Sequence, residues 1–109
     1  MQTINVSSDE VTVKIYDNGE VDDDTVSVYL DNKLILANKR LSTTPITYTF
    51  KINEDDPEHI ITMVAENMGR FPPNTSLMLV YSGDKRYEVR ISTNEQKNAV
   101  IRFRYQKPD

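Results

Sequence analysis

Thr25-Val26-Ser27-Val28-Tyr29-Leu30-Asp31-Asn32-Lys33-Leu34-Ile35-Leu36 is the stretch on which the fold turns. Val26, Val28 and Leu30 alternate with Thr25, Ser27 and Tyr29, the period-two pattern of a half-buried strand. Asp31-Asn32 then separates this run from a second apolar run, Lys33 to Leu36. Two residues able to adopt positive φ between two strand patterns predict a tight β-hairpin, although Asn-Lys is a weaker signal than Asn-Gly.

Working outward, the same alternation recurs along most of the chain. Val11, Val13 and Ile15 alternate with Thr12, Lys14 and Tyr16. Ile46, Tyr48, Phe50 and Ile52 alternate with Thr47, Thr49 and Lys51. Leu77, Leu79 and Tyr81 form a further set, and Tyr87, Val89 and Ile91 another. Ala99, Ile101, Phe103 and Tyr105 alternate with Val100, Arg102 and Arg104. Ile60 to Ala65 is apolar on both parities apart from Thr62, which predicts a central strand covered on both faces. A short strand over Thr3–Val6 leads the chain. No segment carries a helical period over three turns.

These segments predict an all-β, two-sheet antiparallel β-sandwich of about eight strands. An immunoglobulin-like Greek key is the first expectation and a jelly-roll or C2-like sandwich the second. Ser82-Gly83-Asp84 reads as a further hairpin turn, and Glu54-Asp55-Asp56-Pro57 as a loop, because the residue before proline resists helix. Glu66 to Thr75, with Gly69 and the Pro72-Pro73 pair, reads as a rigid crossover between sheets with Phe71 capping the core.

The chain has 109 residues, which predicts one domain over 1–109. It has no cysteine, so neither disulfides nor thiolate metal sites enter. The first residues lack the basic and apolar regions of a signal peptide, consistent with a cytoplasmic chain or an excised piece of a larger secreted one. No apolar run approaches the roughly 20 residues that span a bilayer as helix, so membrane insertion is not expected. Residues 1–69 carry 13 acids and 5 bases, whereas residues 70–109 carry 8 bases and 4 acids.

Two long motifs resemble one family. Asp17-Asn18-Gly19-Glu20-Val21-Asp22-Asp23-Asp24, continuing through the hairpin to Leu36, is the first. Ala65-Glu66-Asn67-Met68-Gly69-Arg70-Phe71-Pro72-Pro73-Asn74, followed by Lys85-Arg86-Tyr87-Glu88-Val89-Arg90, is the second. Together they resemble small β-sandwich modules carried, often C-terminally, by secreted bacterial proteins. Such modules commonly have glycine at the position of Asp23 and after the asparagine where this chain has Asn32-Lys33. The resemblance covers most of residues 11–105. It implies a secreted, cell-surface or periplasmic location and a non-catalytic accessory module attached to a parent polypeptide or to a surface ligand.

Asp17, Glu20, Asp22, Asp23 and Asp24 place five carboxylates within eight residues. Calcium takes six to eight hard oxygen ligands, so Asp17, Glu20, Asp22 and Asp24, joined by Glu66 and Asn67, are the candidate calcium ligands. The spacing is not that of an EF-hand: a loop starting at Asp17 has Val28 at its twelfth position. The competing reading is a solvated turn. Tyr16 and Tyr29, both of outward parity, are the candidate platform for a carbohydrate, which makes a calcium-dependent carbohydrate-binding module the alternative function. Catalysis is not expected. His59 is the single histidine, no Gly-x-Ser-x-Gly elbow is present, and a small hydrolase is the least favoured reading. Arg86, Arg90, Arg102 and Arg104 share an outward parity with Glu88 among them, predicting an ion-pair ladder on one face. With a pI near 4.9, nucleic acid is not an expected partner.

Overall fold

The computed structural model describes residues 2–17, 25–66, 74–93 and 98–108. Nine strands form among the described residues: β1 (Gln2–Val6), β2 (Glu10–Asp17), β3 (Thr25–Leu30), β4 (Lys33–Arg40), β5 (Ile46–Lys51), β6 (Glu58–Ala65), β7 (Asn74–Ser82), β8 (Lys85–Thr93) and β9 (Ala99–Tyr105). The described residues contain no helix. The strands build a five-stranded sheet in the order β1-β9-β6-β3-β4 and a four-stranded sheet in the order β5-β2-β7-β8. Every pairing is antiparallel except β1 with β9, which is parallel.

β3, β6 and β9 side by side, with β2 and β5 paired opposite, match the C, F, G, B and E strands of an immunoglobulin-like Greek key. The hairpin β7–β8 is inserted between the F-like and G-like strands and lies on the other side of β2. The connection after β6 therefore crosses from one sheet to the other, as its prolines suggested; Phe71 lies outside the described residues.

Period-two alternation sends one set of side chains inward from each sheet. Val11, Val13, Ile15, Met78, Val80, Val89 and Ile91 meet Val26, Val28, Ile61, Met63, Ile101 and Phe103 in one buried cluster. Each such side chain contributes about 1.5–3 kcal/mol on burial. Leu41 and Ile52, just beyond the ends of β4 and β5, are fully buried as well. The Tyr87 hydroxyl on β8 donates to the Asn5 carbonyl on β1 at 3.1 Å, a polar stitch between the sheets.

Both hairpin turns form where the residues allow. Asp31 and Asn32 have φ of 52° and 69°, the double positive φ of a type I′ turn. Gly83 has φ of 62°. A Cβ there would lie 3.3 Å from the Ser8 Cβ, so glycine serves both the turn and its close approach to the β1–β2 connection. The 53–56 loop is held by Asn53, whose Oδ1 accepts the Asp55 and Asp56 amides, each at 2.9 Å.

Two expectations need correction. β6 is the middle strand of its sheet, but it is not covered on both faces: Ile60, Thr62 and Val64 are half-buried on the outward side. A two-layer sandwich leaves each sheet one solvent face, so apolar residues on both parities of β6 create an apolar outer surface. The arginine ladder also divides. β8 and β9 belong to different sheets, so Arg86, Glu88 and Arg90 lie on one outer face and Arg102 and Arg104 on the other. Their outward parity stands; the pairing that would have joined them does not exist.

Candidate functional surfaces

The acidic turn is only partly described. Glu20, Asp22, Asp23, Asp24 and Asn67 lie outside the described residues. Asp17 ends β2 and is buried, and its amide donates to the Ser42 carbonyl at 2.9 Å. Glu66 is exposed, and its amide donates to the Thr25 carbonyl at 2.9 Å. The end of β6 thus sits beside the residue where the acidic connection rejoins the fold. Among the described residues no group of three or more His, Cys, Asp or Glu side chains is placed to hold a metal.

Tyr16 and Tyr29 do not form one platform. Tyr16 is on β2 of the four-stranded sheet and Tyr29 on β3 of the five-stranded sheet. Both point outward, which places them on opposite faces of the sandwich. Each has different neighbours from those its sequence position suggested.

Around Tyr29, pairing register builds a row across four strands: Leu34 opposite Tyr29, Tyr29 opposite Thr62, Thr62 opposite Val100. Leu34 is 48% exposed, the one large hydrophobic side chain so exposed among the described residues. Ile60 and Val64 on β6 flank the row. At its edge, Glu58 receives Arg102 at 3.6 Å and Arg104 at 3.5 Å. The result is an apolar strip with a charged border.

Tyr16 lies opposite Leu77, and Tyr81 stands further along the same outer face, opposite Thr12. The outer face of the four-stranded sheet runs Thr49–Thr12–Tyr81–Arg86 in one row and Thr47–Lys14–Leu79–Glu88 in the next, with Tyr16, Leu77 and Arg90 beyond. The Thr12 and Thr49 hydroxyls are hydrogen-bonded at 2.9 Å. The Lys14 ammonium lies 5.5 Å from the Tyr81 ring centre. Arg86 reaches Glu88 at 3.2 Å, and a hydrogen bond with Tyr81 is the main influence holding its guanidinium above the ordinary arginine value. Beside Tyr81 opens a cleft of about 360 Å³ lined by Ser8, Asp9, Glu10, Thr12, Tyr81 and Gly83. Glu10 in its wall pairs with Lys51 at 2.9 Å, which raises the Lys51 pKa through that hydrogen bond and the adjacent charge. The cleft went unread in the sequence, although Tyr81 shares the outward parity of Leu77 and Leu79.

His59 has a structural setting the sequence did not reveal. It is buried on the core side of β6, edge-on to Phe50 at 5.5 Å. Its Nδ1 lies 2.5 Å from Asp31 Oδ2, while Asp31 Oδ1 accepts the Ile60 amide at 2.8 Å. The Asp31 amide returns a bond to the Ile60 carbonyl at 2.8 Å. Asp56 Oδ2 lies 3.0 Å from Nε2, a close approach without hydrogen-bond alignment. The imidazole ties the β3–β4 turn to the start of β6.

No protein-family model matches this chain, and neither the curated proteins nor the solved structures contain a match.

Proposed function

We propose that this chain is a non-catalytic recognition module, secreted or held at a bacterial cell surface or in the periplasm, that attaches a larger protein to its partner. The observation that carries this reading is the outward row Leu34–Tyr29–Thr62–Val100. Exposed Leu34 with half-buried Tyr29 and Val100 gives this face apolar area that a partner would cover. Tyr29 adds a ring with a polar tip, the residue type enriched in protein interfaces. The resemblance to accessory modules of secreted proteins supports the same assignment. It favours a partner in the parent polypeptide or on the cell surface.

The test immobilises the protein and measures binding of bacterial cell-envelope fragments to wild type and to a Leu34→Asp, Tyr29→Ser double variant. Both positions face solvent, so the variant keeps its core. Loss of binding in the variant is expected; equal binding by both proteins would assign attachment elsewhere. A glycan array read with calcium and with chelator separates the alternative, since a calcium-dependent carbohydrate module binds only in the first condition.

A further inference from the structure

We infer that the cleft beside Tyr81 is a binding site for a neutral carbohydrate, independent of the acidic turn. Charge narrows the ligand class. Asp9 and Glu10 line the cleft, while outside its lining Lys14 lies over the Tyr81 ring and Arg86 stands opposite Tyr81 on β8. A polyanion meets Asp9 and Glu10; a polycation meets Lys14 and Arg86. A sugar hydroxyl suits both the cleft carboxylates and the cations beside Tyr81, because it donates to a carboxylate and accepts from an ammonium or guanidinium. Ser8 and Thr12 add hydroxyl partners of their own.

Tyr81 supplies the remaining element. An aromatic ring at the side of a polar cleft offers an apolar surface to the C–H face of a pyranose. Lys14 sits over the ring at 5.5 Å. An exposed cation–aromatic contact is weak, so the ammonium can leave the ring and donate to a ring-bound sugar. Tyr16 and Leu77 continue the same outer face further along β2 and β7, which gives a chain longer than one sugar a surface to follow. Gly83 lines the cleft where its turn approaches Ser8 without a side chain. The site lies on the four-stranded sheet and does not depend on the Leu34 row.

The test is affinity electrophoresis in gels containing dextran, galactomannan, xyloglucan or amylopectin, with polygalacturonate as the acidic comparison, all in chelator. At least one neutral polymer is expected to retard the wild type. Tyr81→Ala should abolish that retardation. Arg86→Gln should weaken it about tenfold in Kd, the loss of one hydrogen bond to a charged group. Melting curves establish that the variants fold. The Leu34→Asp, Tyr29→Ser variant should be retarded like wild type. Absence of retardation by all four neutral polymers overturns the proposal, as does stronger retardation by polygalacturonate or retention of binding in a folded Tyr81→Ala protein.

Discussion

Asp31 does the work of several residues. Its positive φ suits the first turn position, where aspartate tolerates the left-handed region better than most residues. Its two carboxylate oxygens reach His59 and the Ile60 amide. Replacement by alanine keeps the strained φ and strips both acceptors, leaving a buried imidazole without its aligned partner. The expected cost is about 2–3 kcal/mol, somewhat reduced because Asp31 is partly exposed to water. Asp31→Asn keeps the turn preference and one acceptor, so it should fall between wild type and Asp31→Ala in a urea titration. An unchanged midpoint for Asp31→Ala would show that the His59 contact contributes nothing. That contact was not legible in the sequence. His59 stands at inward parity two residues before Ile61, which marks it for burial, but its carboxylates come from Asp31 and Asp56, and only the folded chain brings them together.

Individual strands were legible because alternation is local. Val11 to Ile15, Val26 to Leu30 and Ile101 to Tyr105 announce their faces within a few residues. Asp31-Asn32 and Gly83-Asp84 announce the reversals between strands. What alternation does not contain is which strand lies beside which. Arg86 and Arg102 share a parity, as do Tyr16 and Tyr29, yet each pair is divided between sheets, because the β7–β8 hairpin joins β2 while β3 and β9 both join β6. The same limit hid the Tyr81 cleft, whose walls come from the β1–β2 connection and the β7–β8 turn. The acidic connection from β2 to β3 has its own test. Five like charges in eight residues repel, and calcium would offset that repulsion. With a Kd near 0.1 mM, about 1 mM calcium stabilises the fold by roughly 1.4 kcal/mol, a rise of about 4–8 °C in Tm. Asp22→Asn with Asp24→Asn should remove the rise. Equal Tm in calcium and in chelator would assign the turn to solvent.

At the scale of the whole molecule, the two outer faces differ in character. The five-stranded sheet presents an apolar strip edged by Glu58, Arg102 and Arg104, and the four-stranded sheet presents threonines, tyrosines and mixed charges. The parallel pairing of β1 with β9, from Gln2 opposite Ile101 to Val6 opposite Tyr105, has a mechanical consequence. Tension applied at Gln2 and at Gln106 pulls these two strands along their length in opposite directions. The ladder between them is then loaded in shear, with all its hydrogen bonds sharing the force, rather than peeled one rung at a time. Tension between Gln2 and Asn98, which leave the ladder at the same end, peels it instead. The chain has no cysteine, so a pair of engineered thiols sets each pulling direction cleanly. Single-molecule extension should show a higher rupture force for the 2/106 pair than for the 2/98 pair, and equal forces would contradict the shear geometry. A module so wired resists a load passed through its ends, whereas one tethered through a single end hangs free of it.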